Sequence, residues 1–145
     1  MRFLLNLLLI SLFFISCNSY GKKVLINEKS EVYYKGSEVS EEDAKRLGEF
    51  LLSRGYFNVS DQRSVQLTKK GESYVVKLVV DQEYMKAEDN VIAGFRVWQM
   101  WIEDSVFNGS HTELLLADTE LKSTREVGEF TAKEKLEFNT GDSSE

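Results

Sequence analysis

The sequence predicts an α+β fold in which two helices cover one face of a four-stranded antiparallel sheet, with elements in the order β-α-β-β-α-β. Three observations carry that expectation. A capped, amphipathic helix opens at Glu41, and Ser73–Asp81 alternates as a strand. A long apolar periodicity then runs up to Gly109 and is followed at once by a further strand, Thr112–Ala117.

The first strand is Glu31–Lys35, EVYYK, with Val32 and Tyr34 on one face and Tyr33 on the other. Gly36-Ser37 interrupts it. Ser40 is placed to cap the first helix, and the acids at 41–43 suit the positive end of its dipole. Ala44, Leu47, Phe50 and Leu51 recur at helical spacing, and Gly55 stands where a left-handed residue ends a helix. Ser64–Lys70 reads as the second strand, Lys70-Gly71-Glu72 as a turn, and Ser73–Asp81 as the third strand. Tyr74, Val76, Leu78 and Val80 share one face of that third strand; Val75, Lys77 and Val79 share the other. The second helix is expected over about residues 87–107, on a stripe of Val91, Phe95, Trp98 and Ile102 widened by Ile92, Trp101 and Val106. TELLLA, residues 112–117, is the fourth strand.

Around this domain, at 31–127, the chain divides into a signal segment at 1–16, a polar tether at 17–30 and a flexible acidic tail at 128–145. Val24-Leu25-Ile26 gives the tether room for one short strand. The order of elements is the split βαβ arrangement of ferredoxin-like domains, in which the first and third strands are central neighbours. Tyr33, Val75 and Val79, joined by Leu115, would then form one apolar patch on the helix-free face, the expected partner-binding surface. Residues 24–26 or 130–138 of the same chain are the alternative cover.

Met1–Cys17, MRFLLNLLLISLFFISC, carries a single charge at Arg2, then an apolar run, then the small Ser16 before the only cysteine of the chain. The run is shorter than the roughly 20 residues a spanning helix needs, and it has the order of a secretory signal. Phe14-Ile15-Ser16-Cys17 resembles the lipobox of bacterial lipoproteins, with Phe14 where Leu is usual. The resemblance implies cleavage before Cys17, acylation of Cys17, palmitate included, and an extracytoplasmic anchor in the cell envelope, with the outer membrane as the expected one.

Composition narrows the chemistry. The net charge is −6 without any basic run, which argues against nucleic acid and against a polybasic lipid-binding patch. Beyond Cys17 there is no cysteine, hence no intramolecular disulfide, thiolate nucleophile or Cys-ligated zinc. His111 is the only histidine; Ser110 beside it is adjacency in sequence, and no G-x-S-x-G motif surrounds any serine. Asp81, Glu83, Glu88 and Asp89 crowd one connection, but not with the spacing of a calcium loop. Trp98 falls within the core stripe of its helix, while Trp101 lies to one side, closer to solvent. Neither a cofactor, nor a metal, nor an enzymatic activity is expected.

Glu31-Val32-Tyr33-Tyr34, Ala44, Leu47-Gly48, Leu51, Tyr56-Phe57, Val65-Gln66-Leu67 and Tyr74-Val75-Val76 together look like a small module of bacterial envelope proteins. That resemblance covers about residues 31–120 and implies a compact α+β fold with no catalytic residue to carry over. The expected function is a lipid-anchored domain that binds or supports another envelope component. A small secreted hydrolase and an inhibitor or immunity-type protein are the alternatives.

Overall fold

The cap predicted at Ser40 starts the first helix, and the structure makes it a reciprocal capping box with Asp43. Ser40 Oγ accepts the Asp43 N–H at 3.1 Å, and Asp43 Oδ2 accepts the Ser40 N–H at 3.0 Å. This geometry comes from a computed structural model that describes residues 20–131 together with Glu134 and Leu136. The signal segment, Cys17 and most of the tail lie outside the described residues.

In chain order the elements are β1 (Lys22–Leu25), β2 (Ser30–Tyr34), α1 (Glu41–Ser53), β3 (Arg63–Lys70), β4 (Ser73–Val79), α2 (Gln82–Met85), α3 (Asp89–Ser105), β5 (Thr112–Ala117) and β6 (Thr124–Glu126). They build one six-stranded sheet whose spatial order follows the chain, β1 to β6. The pairs β1–β2, β3–β4 and β5–β6 are antiparallel, and β2–β3 and β4–β5 are parallel.

This corrects the expected four-stranded antiparallel, ferredoxin-like sheet. Among the described residues 20–131 the sheet is mixed, has six strands and comes with three helices. Two physical reasons account for the difference. Each long crossover, through α1 or through α3, sets its second strand directly beside the first, where the split arrangement would leave a gap for another strand. The segment read as tether also contributes β1, which takes the outer edge of β2 and closes the place a ferredoxin-like fourth strand would fill. Gly21, at φ +96°, lets the chain enter β1: a Cβ there would collide with the Tyr34 carbonyl.

The faces of the strands fall as alternation requires. Val32, Tyr34, Val65, Leu67, Val76, Leu78, Leu114 and Leu116 point to the helical side and pack with Ala44, Leu47, Leu51, Ile92 and Ile102. Helix α1 lies over β2 and α3 over β5. Helix α1 ends as Gly55 (φ +80°) turns the chain back, so that Tyr56 and Phe57 both donate their N–H groups to the Leu51 carbonyl.

Candidate interaction surface

The helix-free face carries the rows that register dictates. One row runs Lys23, Tyr33, Gln66, Lys77, Leu115, Glu126 across all six strands. Tyr33 therefore lies beside Gln66, with β3 between it and β4. Val75 lies between Thr68 and Glu113, and Val79 lies beside Ala117. Tyr33, Val75 and Val79 do not lie side by side as expected, because that row depended on a strand order that the fold does not have. All four residues, Leu115 included, lie on the helix-free face, and Tyr33 still packs against the cluster of Val79, Ala117 and Leu121.

The chain covers part of this face itself. Leu121 folds from the β5–β6 loop onto Val79 and Ala117, leaving Val79 9 % exposed. Leu121 sits at φ +58°, a left-handed conformation that costs a side-chain-bearing residue about 1–2 kcal/mol. Burying an aliphatic side chain contributes about 1.5–3 kcal/mol, enough to offset it. Asp118 frames the loop: its carboxylate accepts the N–H groups of Glu120 at 3.1 Å, Lys122 at 3.0 Å and Ser123 at 3.0 Å. The Ser123 backbone and hydroxyl, with the two other N–H groups, hold the Asp118 carboxyl below its usual range. A depressed carboxylate stabilises the loop above its unfolded pKa and loses that contribution as pH falls through the folded value. Hydrogen-exchange protection at Glu120, Lys122 and Ser123 should therefore hold at neutral pH and vanish in acid, below the ordinary carboxylate range. Asp118→Ala should remove it at every pH; protection that survives this substitution would exclude the carboxylate as the clasp.

Against the same cluster, Tyr20 stacks at a tilt on Tyr33, with ring centroids 5.6 Å apart, and its carbonyl accepts from Gln66 Nε2 at 3.0 Å. The Tyr33 hydroxyl donates to Glu31 at 2.7 Å, and that carboxylate with burial pushes the phenol up to about 12. Burial alone would raise Glu31, yet the Tyr33 hydroxyl, Lys23 and Ser64 together hold it below its usual range.

The helical side shows the opposite anomaly. Between Asn90 and Ile102 of α3 the only charge is Arg96, yet the helix buries fully only Ile92, Gln99 and Ile102. Gln99 is the surprise among them. Its Oε1 accepts the Leu114 N–H at 3.3 Å, tying α3 to β5 by a polar contact that hydrophobic periodicity could not announce. Val91 is 45 % exposed, and Ala93, Val97, Trp98, Met100 and Trp101 are half-buried. A Cβ on Gly94 would meet nothing within 4 Å. The Arg54 guanidinium lies 4.7 Å from the Trp101 ring centroid and 5.5 Å from that of Phe50, carrying the surface across to α1. Trp98 packs partly on the core, edge-on to Tyr56, and Trp101 is the outer of the two, as their spacing predicted.

His111 stands at the end of the sheet, between two carboxylates: Nδ1 is 3.6 Å from Glu103 and Nε2 is 3.4 Å from Glu129. The adjoining cleft, about 50 Å³, is bordered by Arg96, Gln99, Met100 and Phe130. Arg96 is committed to the Val127 carbonyl and to Glu134. Asp81, Glu83, Glu88 and Asp89 are exposed about α2, and Arg125 reaches across to Asp89 at 3.0 Å. Among the described residues no group of His, Cys, Asp and Glu is placed to hold a metal ion, and no helix is long and apolar enough to cross a membrane.

Fold and surface define a two-layer α+β domain: a mixed sheet in chain order, helices on one side, and an outer helix richer in apolar residues than its burial requires. The AF_1994_N family N-terminal domain matches residues 23–129, and the chain belongs to that family. No curated protein and no solved structure matches it.

Proposed function

We propose that this protein is an extracytoplasmic lipoprotein, anchored through Cys17, whose α+β domain binds another protein of the cell envelope through the outer face of α3. The observation that carries the reading is the apolar stretch from Val91 to Trp101, left half-exposed with one charge in it. A helix that is apolar on all sides is ordinarily buried on all sides. Tryptophan and arginine, here Trp98, Trp101 and Arg54, are also the residues that most often dominate binding energy at protein interfaces.

The test separates binding from folding. Val91 is exposed, so Val91→Glu should leave stability within about 0.5 kcal/mol. Trp101→Ala removes a half-buried ring and a cation–π contact and should cost about 1 kcal/mol. The double variant is expected to lose the protein cross-linked to the wild type in intact envelopes, with a melting temperature only a few degrees lower. Undiminished cross-linking would refute α3 as the interface.

A further inference from the structure

The sequence has no basic run, but the fold gathers lysines from three separate segments. Lys35 follows β2, Lys77 is in β4 and Lys122 is in the β5–β6 loop; all three line one groove of about 380 Å³ on the helix-free face. Tyr20, Leu121, Gln66 and Thr68 line it as well. Glu120 is the one carboxylate there, and it is committed to Lys122 at 2.6 Å. Lys77 Nζ lies 3.4 Å from the Leu121 carbonyl, and no ion pair among the described residues includes it. In a chain of net charge −6, this groove is locally cationic. A second depression shares Lys35 and adds Lys22 and Gly21.

We propose that this groove docks the domain on anionic phospholipid headgroups of the membrane that holds its lipid anchor. Charge complementarity is the first argument: ammonium groups and the Thr68 hydroxyl are donors suited to a phosphodiester. The path of the chain is the second. Tyr20 lines the groove, and Cys17 precedes it by three residues, so the acylated residue lies no further away than roughly 11 Å of extended chain. The inference rests on the proposed acylation of Cys17. It adds an orientation, with the lysine groove toward the lipid and α3 on the far side of the sheet, away from it. Anchoring also explains how few contacts are enough, because a tethered groove meets headgroups at high effective concentration.

The full acylated chain is to be placed in nanodiscs of phosphatidylcholine, with or without phosphatidylglycerol, and its lysines acetylated and timed by mass spectrometry. Lys35, Lys77 and Lys122 should react at least fivefold more slowly in the phosphatidylglycerol discs, with the difference lost in high salt. Lys45, exposed on α1, should react alike in both. In the Lys77→Gln, Lys122→Gln variant the protection of Lys35 should fall away. Equal rates on both discs would overturn the docking and leave the anchor standing, as would equal protection by inorganic phosphate on phosphatidylcholine discs. A chain retained by neither disc would refute the anchor, and the docking with it.

Discussion

Phe57→Ala should destabilise the domain by roughly 3–5 kcal/mol, the range for removing a buried aromatic ring from a packed core. Phe57 is 1 % exposed and packs with its neighbour Tyr56, the two ring centroids 5.1 Å apart. Its backbone is pinned as well, because its N–H bonds to Leu51 at 3.2 Å, so the chain is poorly placed to collapse into the space left. For a domain of this size the midpoint of thermal unfolding should fall by on the order of 12–20 °C. Tyr56→Phe is the contrasting change. It keeps the ring and removes one buried hydrogen bond, from the hydroxyl to the Val79 carbonyl at 2.7 Å, for about 1 kcal/mol. Denaturant melts of both variants check the pair; a loss below about 1 kcal/mol for Phe57→Ala would mean that its ring is not a core member.

Cys17→Ala should abolish both palmitate labelling and partition into the detergent phase. A single acyl chain binds membranes only marginally, and stable attachment takes at least two lipid signals, so the effect on localisation should be close to all-or-none. Labelling that persists without Cys17 would remove the proposed anchor. The geometry gives this experiment a further consequence. Lys22 opens β1 only five residues after Cys17, so an anchor at Cys17 would leave the domain little slack with which to stand away from it.

Local structure was legible in the sequence because it depends on neighbours in the chain. The Ser40 cap, the Gly55 helix stop, the bounds of β5 and the inward face of Val32, Tyr34, Val76 and Leu78 all follow from spacing and from residue type. Strand order was not legible. The alternation in Tyr74–Val80 is the same whether β4 pairs with β2 or with β5, since period two specifies a face and carries no name for the neighbour. Lys22–Leu25 escaped notice as a full strand because an edge strand half in solvent carries lysines where a central one carries valines. Thr124–Glu126 is shorter still and reads as loop. At the surface, the exposure of Trp101 followed from its helical angle, whereas the lysine groove depends on loops that only the tertiary fold brings together.

A sheet whose strands lie in the order in which they are synthesised has a kinetic meaning. Every strand finds its partner in the strand just before it, so no pairing waits for a distant part of the chain to arrive. Loop-closure entropy is then met in small instalments, the circumstance in which sheets form quickly. For a polypeptide threaded through a membrane with its N-terminus first, β1 and β2 would be in place as a template before β5 had emerged. The domain would assemble outward from its N-terminal end, and β6 would bring with it the loop that lays Leu121 over the finished face.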